Sequence, residues 1–194
     1  MKSDTVFEEE FTLLEKTILA LLYLKEKTPI LGKLRLQKMI FLISQDFEKL
    51  KDELDFEPHR YGMYDQTIDD MVEGLELDGF VTIDENNNKI ILTQKGIEKA
   101  KEILKEFSEK EIETIEEVKE LFEDLSEDEI LALLYFKFPE FAKYSEKLNE
   151  ITKKRRELAI SLYKKGKVSL EAASEIAGMN VKQFMKLLKE RNLL

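Results

Sequence analysis

Long polar side chains recur along the last stretch of the chain, at spacings that place them on one side of a helix. Lysine and arginine can contact the phosphates of a duplex there, and glutamine can pair with adenine. A helix with such a face fits the major groove of DNA. The candidate DNA-binding residues of this stretch are Asn180, Lys182, Gln183, Lys186, Lys189 and Arg191, and an upstream basic run adds Lys153, Lys154, Arg155 and Arg156.

Residues 169–194 have the spacing of a helix-turn-helix, which would position these side chains. Ala173 and Ser174 are small where a second helix would cross at close range, and Gly178 suits the turn because it takes positive φ without steric cost. Helical hairpins with a glycine turn also occur in many proteins that do not bind DNA, so spacing alone leaves both interpretations open. The predicted apolar face of the second helix consists of Met179, Phe184 and Leu187.

The formal net charge of −10 is unusual for a protein that binds a polyanion, but the charge is segregated along the chain. Residues 143–194 contain 13 Lys and Arg against 6 Glu, whereas the other 142 residues contain 18 Lys and Arg against 35 Asp and Glu. A basic end on an acidic body indicates that only the end meets DNA, while the body is repelled or faces a different partner.

Composition restricts the class of protein further. A hydrophobic content of 43% in 194 residues allows a buried core in one or two domains. The longest apolar run, residues 18–24, is too short to span a membrane, and the N-terminus lacks the pattern of a signal peptide. We therefore expect a cytoplasmic protein with no membrane partner. The absence of cysteine excludes disulfides, zinc fingers and thiol catalysis, and the many Lys and Glu residues are typical of thermophiles.

Apolar spacings of three and four predict amphipathic helices in the first eighty residues. The first covers residues 7–27, with a stripe from Phe7 to Lys25, and Thr28-Pro29 ends it. The second, within residues 31–50, is apolar on all sides and is expected to be central. Asp65 caps the third and Gly79 closes it. The predicted buried face of the third helix consists of Ile68, Met71, Val72, Leu75 and Leu77.

A β-hairpin is predicted after these helices. Residues 80–84 and 89–93 are rich in β-formers, and the sequence Glu-Asn-Asn-Asn joins them, with asparagine suited to a left-handed turn. Thr93 would cap the next helix, whereas Pro58 and Gly62 indicate irregular backbone before the third helix. Three helices followed by a hairpin and another helix are the element order of a winged helix.

Several motifs in this region carry a family resemblance. Residues 33–43 (KLRLQKMIFLI), 60–68 (RYGMYDQTI), 75–81 (LELDGFV) and 91–96 (ILTQKG) resemble the winged-helix proteins of the YwgA type and, more distantly, the Panacea domain of antitoxins. The resemblance covers about residues 7–105. Relatives often have proline where this chain has Met63. Such domains are not known for catalysis, so the resemblance implies an interaction or regulatory module.

The third helix of this winged helix is too acidic to read DNA. Residues 65–78 contain six carboxylates and no Lys or Arg, and the wing offers Lys89 beside Asp84 and Glu85. Phosphate contacts normally come from cations that release counterions. We therefore expect this helix and the wing to serve packing, dimerisation or binding of a protein partner.

The middle of the chain predicts further helices. Ser108 with Glu111 and Ser126 with Glu129 form capping boxes. Residues 98–129 have a net charge of −9, which predicts a solvated helix face or spacer, or else a surface that docks a basic partner. An aromatic cluster follows and is interpreted as core that joins the two halves, or otherwise as a dimer interface. Its members are Tyr135, Phe136, Phe138, Phe141 and Tyr144.

The C-terminal part carries a second and more specific resemblance. From about Arg155, the chain contains Leu-Tyr-x-x-Gly-Lys, Ser-Leu and Ala-Ala-x-x-x-Ala-Gly, at residues 162–167, 169–170 and 172–178. This pattern resembles a small antitoxin-like family of prokaryotic proteins. The resemblance implies a helix-turn-helix domain that regulates a partner gene or toxin.

Catalysis is not indicated by any motif. His59 is the single histidine, and the spacing of Asp69, Asp70 and Glu73 is far more typical of a solvated helix face than of a cation site. We expect no enzyme activity, no cofactor and no metal.

The sequence therefore predicts a mainly α fold in three parts: a winged-helix domain with a two-stranded β-hairpin wing (1–107), an acidic helical linker with the aromatic segment (108–148) and a C-terminal helix-turn-helix (149–194). The predicted function is that of a homodimeric transcriptional regulator that binds double-stranded DNA through its C-terminal end. The alternative is an antitoxin or adaptor that acts by protein contact without DNA.

Overall fold

A computed structural model describes residues 10–84 and 86–193 of the chain. The fold is mainly helical and includes an antiparallel β-hairpin, as predicted. The elements of the first half are α1 (Leu13–Lys27), β1 (Ile30–Leu31), α2 (Lys33–Asp46), α3 (Glu48–Asp52), β2 (Glu57–His59), β3 (Gly62–Tyr64), α4 (Gln66–Leu77), β4 (Val81–Asp84), β5 (Lys89–Leu92) and α5 (Gln94–Ile103).

The second half of the chain is helical. Its elements are α6 (Glu109–Phe122), α7 (Glu127–Lys137), α8 (Pro139–Ala142), α9 (Leu148–Lys164), α10 (Leu170–Ala177) and α11 (Val181–Glu190). Within the described residues, no helix is long and apolar enough to cross a membrane.

Helix α1 is shorter than the periodicity predicted. It begins at Leu13, after a capping box formed by Thr12 and Glu15. The predicted start at Phe7 lies outside the described residues. Its helical dihedrals stop at Leu24, and Lys25, which had been assigned to the apolar stripe, has a φ of 52° and is exposed. The apolar pattern overestimated the helix because it does not record where the backbone leaves the helical region.

Helix α2 lies at the centre of the first half, as its apolar character predicted. Leu36, Ile40 and Ile43 are fully buried, and the helix contacts β1, β3, α6 and α7. Helix α4 packs on α1 and β4 through Ile68, Val72 and Leu75. The prediction that Leu77 joins this face is wrong: it is the last residue of the helix and is 88% exposed.

The predicted hairpin is present as β4 and β5, which pair from Val81 with Leu92 to Asp84 with Lys89. Asn88 takes the left-handed conformation in its turn, with a φ of 54°. Strand β1 adds a third strand, in the order β1-β5-β4, that the sequence did not predict. The segment predicted to be irregular around Pro58 and Gly62 forms a second antiparallel hairpin, β2-β3.

The helix caps predicted at Thr93, Ser108 and Ser126 are all formed. Helices α6 and α7, which begin at Ser108 and Ser126, pack against the rest of the protein and do not form a separate spacer. Helix α6 contacts α1 and α2, and α7 contacts α9. Lys119 of α6 is buried and its ammonium donates hydrogen bonds to carbonyls at the end of α1, including those of Leu21 and Leu24. Residues 108–148 thus connect the two ends of the chain through direct contacts, although the predicted domain boundaries stay a prediction.

Most of the aromatic cluster lies in this connection. Phe138 and Phe141 contact Phe41 of α2 edge to face, with ring centroids 4.9 and 5.1 Å apart, and Tyr135 is buried. Tyr144 is exposed. Four of the five aromatic residues therefore pack within the chain, and the fifth lies on the surface.

Candidate nucleic-acid interface

Helix α11 is strongly amphipathic. Phe184 and Leu188 are fully buried, and Phe184 contacts the ring of Tyr163 in α9. At 100° per residue, three lysines project from the opposite side. Residue Leu188, at i+4 from Phe184, was missed in the predicted apolar face, although that spacing could have identified it. We call the opposite side, which consists of the exposed Lys182, Lys186 and Lys189, the lysine face.

The turn before α11 requires Gly178 for two reasons. Its φ is 70°, and the amide of Met179 donates to the carbonyl of Ser174, which is the bonding expected at a left-handed helix end. A Cβ atom on Gly178 would also lie 2.7 Å from the guanidinium carbon of Arg155. The turn is therefore fixed both by backbone conformation and by the side chain packed over it.

The side chain of Arg155 packs against α10 and does not project freely into solvent. Its Nε donates to the carbonyl of Ile176 at 2.6 Å and its Nη2 donates to that of Glu175 at 2.9 Å, so the side chain satisfies the carbonyl end of α10. The guanidinium carbon lies 4.1 Å from the ring centre of Phe136, and burial lowers the pKa of Arg155. Contact of Arg155 with DNA would have to compete with these contacts, and its predicted role in DNA binding stays a prediction.

Asn180 and Gln183 cap α11 reciprocally. The Oδ1 of Asn180 accepts from the amide of Gln183 at 2.9 Å, and the Oε1 of Gln183 accepts from the amide of Asn180 at 3.0 Å. A bidentate contact with adenine needs both the oxygen and the nitrogen of the Gln183 amide. That contact would require the cap to open, so the expected adenine pairing does not fit this conformation.

The remaining basic residues differ in their partners. Lys154 pairs with Asp128 at 2.8 Å and with Glu150 at 2.7 Å, and these hydrogen bonds raise its pKa. Arg191 makes a bidentate pair with Glu157 of α9, with distances of 2.9 and 2.6 Å, which raises the pKa of Arg191. Sequence reasoning had not identified Glu157 as the partner of Arg191.

Lys153 and Arg156 are exposed on the same helix, α9. Arg191, just after α11, pairs with Glu157 in the middle of α9, and Phe184, near the start of α11, contacts Tyr163 near the end of α9. The lysine face, Lys153 and Arg156 are among the exposed cations of this end. Lys186 of the lysine face pairs with Glu190 at 3.7 Å, and Glu171 and Glu175 are exposed on α10.

Helix α4 presents the opposite charge. Asp70 and Glu73 are exposed, and Glu73 pairs with Lys33 at 2.6 Å. Asp69 accepts hydrogen bonds from Gln37 and from the hydroxyl of Tyr64. His59 is exposed and stacks on Tyr64, with ring centroids 4.6 Å apart. Among residues 10–84 and 86–193, no group of three His, Asp or Glu side chains is arranged to hold a metal ion.

Taken together, the fold is that of a mainly helical protein with a hairpin wing and a terminal helix, turn and helix. Residues 136–193 match the model of an uncharacterised protein family (UPF0175). The match begins at Phe136, whose ring packs against Arg155, and extends through α11. It supports the predicted similarity of the C-terminal part to a small prokaryotic family, while the resemblance of the N-terminal part stays a prediction. No curated protein matches the chain.

Proposed function

We propose that the protein is a DNA-binding transcriptional regulator whose C-terminal helix-turn-helix contacts the duplex. The observation that carries the proposal is the lysine face, which is exposed along α11 directly opposite the buried Phe184 and Leu188. The first turn of α11 contains no acidic residue, so its positive helix end is not neutralised locally. Cations on the outer face of a terminal helix suit the phosphates that border the major groove.

The acidic winged-helix body is proposed to serve dimerisation or partner binding. A single helix-turn-helix provides little specific affinity, and a dimer would place two α11 helices about 34 Å apart, on successive turns of the duplex. The exposed carboxylates of α4 would repel phosphate and hold the body away from it. An antitoxin or adaptor that acts by protein contact alone is the competing proposal.

The proposal is tested by the salt dependence of duplex binding. Wild-type protein should bind a mixed-sequence duplex with an affinity that falls steeply with salt, by a slope of roughly 0.9 for each phosphate contact. The double variant Lys182→Glu/Lys186→Glu should bind about a hundredfold more weakly and lower that slope by roughly 2, because two phosphate contacts are lost. Fluorescence anisotropy at several salt concentrations measures both quantities.

The matched control is Lys101→Glu/Lys105→Glu. Both lysines are exposed on the acidic body, so this variant makes the same change in net charge at another place. It should retain wild-type binding to within about threefold, since long-range charge effects are screened at physiological salt. Equal weakening in both variants would mean that net charge rather than the lysine face controls affinity, and unchanged affinity in the first variant would contradict the proposal.

A further inference from the structure

A cavity of about 370 Å³ lies where the first half of the molecule meets the C-terminal helices, and we call it the junction cavity. It is bordered by α2, α6 and α7 on one side and by α10 and the segment before it on the other. Its volume falls in the range of small-molecule pockets, roughly 300–1,000 Å³. Such pockets form preferentially at the junction between two parts of a protein, which is the position of this cavity.

The wall of the junction cavity is mainly apolar. Eight of its eleven lining residues have apolar side chains, so most of a bound molecule would contact hydrocarbon. Leu134 and Ile176 are buried, whereas Leu42, Leu121 and Val168 are half-buried and keep apolar surface accessible. Transfer of an apolar molecule from water to such surface is favourable without any hydrogen bond.

The three charged residues of the junction cavity do not form a binding site for an ion. Lys167 donates to the carbonyl of Glu120 at 2.6 Å, and the ammonium of Lys137 lies 5.5 Å from the ring centre of Phe138. Lys137 and Glu175 are exposed and opposite in charge, so they favour neither a cation nor an anion. Among the described residues, no side chain that lines the cavity has a buried nitrogen or oxygen without a hydrogen-bond partner. An ionised ligand would therefore lose hydration in the apolar interior and find no buried partner there.

The junction cavity shares three lining residues with the contacts that fix the turn between α10 and α11. Phe136, Glu175 and Ile176 line the cavity, and they also bind Arg155 through one ring and two backbone carbonyls. Arg155 in turn lies against Gly178. The wall of the cavity is therefore joined by direct contacts to the turn, and through the turn to the helix that carries the lysine face.

We propose that the junction cavity binds an uncharged, apolar organic molecule, and that its occupancy strengthens DNA binding. An apolar cavity of about 150 Å³ accommodates benzene, so this one has room for one or two rings. The molecule packs between the leucines of α6 and α7 and the side chains of Val168 and Ile176. Its contacts join α7 to α10 and so hold Phe136, Arg155 and the turn in the described arrangement. The effect on DNA binding rests on the proposed function, whereas binding of the molecule does not.

Binding is tested on the full chain with toluene and 2-methylnaphthalene, and with benzoate and 2-naphthoate as charged ligands of matched shape. At least one hydrocarbon should raise the melting temperature and shift methyl resonances saturably in two-dimensional NMR spectra. The shifts should be largest at Leu133, Val168 and Ile176, which line the cavity, and negligible at Ile68, which is buried elsewhere. The matched carboxylate should bind at least about tenfold more weakly, because its charge loses hydration without a buried partner. Absence of saturable shifts with both hydrocarbons up to their solubility limits, or equal binding of the carboxylates, would overturn the proposal.

Two substitutions fill the junction cavity from different sides. Val168→Trp enlarges a side chain just before α10 and Leu121→Trp enlarges one on α6, and each should weaken hydrocarbon binding at least about tenfold. Leu77→Trp introduces the same ring at the exposed end of α4 and should bind as the wild type does. Melting temperatures without ligand show which variants are folded. Wild-type binding by a folded cavity variant would exclude this site. If neither variant folds, wild-type methyl shifts centred outside the cavity would exclude it.

The link to DNA binding is tested by anisotropy titrations of the duplex with and without saturating hydrocarbon. Occupancy should raise duplex affinity at least about fivefold, and by linkage the duplex should raise hydrocarbon affinity by the same factor. Phe136→Leu keeps the wall apolar but removes the ring that packs on Arg155. This variant should still bind the hydrocarbon but lose most of the effect on duplex affinity.

The two failures are distinguishable. If a hydrocarbon binds but duplex affinity is the same with and without it, the site stands and its link to DNA binding is wrong. If the chain binds no duplex under either condition, the proposed function is wrong while the NMR titration keeps its own result.

Discussion

Helices α4 and α11 are alike in their caps and buried faces, but their solvent-facing sides carry opposite charge. Each begins at a polar cap, Asp65 or Asn180, and each buries one apolar stripe while the other side faces solvent. The outer side of α4 carries Asp70 and Glu73, whereas that of α11 carries the lysine face. Burial of a stripe is needed for either helix to fold, but it places no condition on the outer residues. The fold therefore positions both helices, and the outer charge decides which of them can approach a phosphate backbone.

The caps of the two helices extend this contrast. Asp65 is buried and its carboxylate accepts from the amides of Thr67 and Asp55, which places a negative charge at the N-terminus of α4. Asn180 is exposed and neutral, and its partner Gln183 is also neutral. The N-terminal end of α11 thus keeps its positive dipole available to an anion, while that of α4 is neutralised by its own cap.

The buried sides of the two helices should be equally important for stability. Phe184→Ala should lower the free energy of unfolding by about 3–5 kcal/mol, and Ile68→Ala by about 2–5 kcal/mol, because both side chains are fully buried. Leu187→Ala, at a half-buried position of α11, should cost less. Urea unfolding followed by circular dichroism measures these changes. A separate early transition in Phe184→Ala alone would show that residues 149–194 unfold independently, as the predicted domain division requires.

Glu129 joins the basic end to the acidic body and should give the next largest effect. Burial opposes ionisation of Glu129, but hydrogen bonds from Lys165, Ser161 and Ser126 outweigh it and lower its pKa from 4.5 to about 2. The folded-state pKa is depressed, so this stabilisation is present above pH 4.5 and is lost as the pH falls towards 2. Glu129→Gln should therefore cost about 2–3 kcal/mol at pH 7.

The pH series provides the control for this prediction. The difference in unfolding free energy between wild type and Glu129→Gln should shrink between pH 5 and pH 2, as measured by urea unfolding at pH 7, 4 and 3. A difference that stays constant over this range would show that the loss comes from altered packing and not from the charge of Glu129.

Local features of the sequence predicted much of this arrangement. The caps at Thr93 and Ser108, the turn at Gly178 and the asparagine turn of the wing depend on residues within a few positions of each other, so spacing reveals them. The pairing of β1 with β5 could not be predicted from the sequence, because it consists of only two residue pairs and joins Ile30 to the distant Ile90. The end of α1 was equally hidden, since it depends on the ammonium of Lys119 from a helix about ninety residues away.

In the candidate interface, too, the local features were predictable and the long-range contacts were not. The amphipathic pattern of α11 identified the lysine face, because its alternation of apolar and cationic residues is local. The basic run from residue 153 looked uniform in sequence, yet the fold gives its members different roles. Arg155 binds the carbonyl end of α10 and Lys154 pairs with Asp128, while Arg156 remains exposed. These roles depend on which helix packs against which face of α9, and one helix's periodicity does not contain that information.

Charge reversal on α4 should give the smallest effect and is the sharpest test of the contrast with α11. Asp70→Lys/Glu73→Lys exchanges two exposed carboxylates for cations and breaks the pair between Glu73 and Lys33, an exposed contact worth well under about 1 kcal/mol. If α4 stays away from the duplex, affinity at 0.15 M salt should change by less than about threefold and the salt slope should stay the same, because charges beyond about 8 Å are screened. A large gain in affinity with a steeper salt slope, measured by the same anisotropy titration, would mean that α4 lies against DNA and that its wild-type carboxylates weaken a contact made by the winged helix itself.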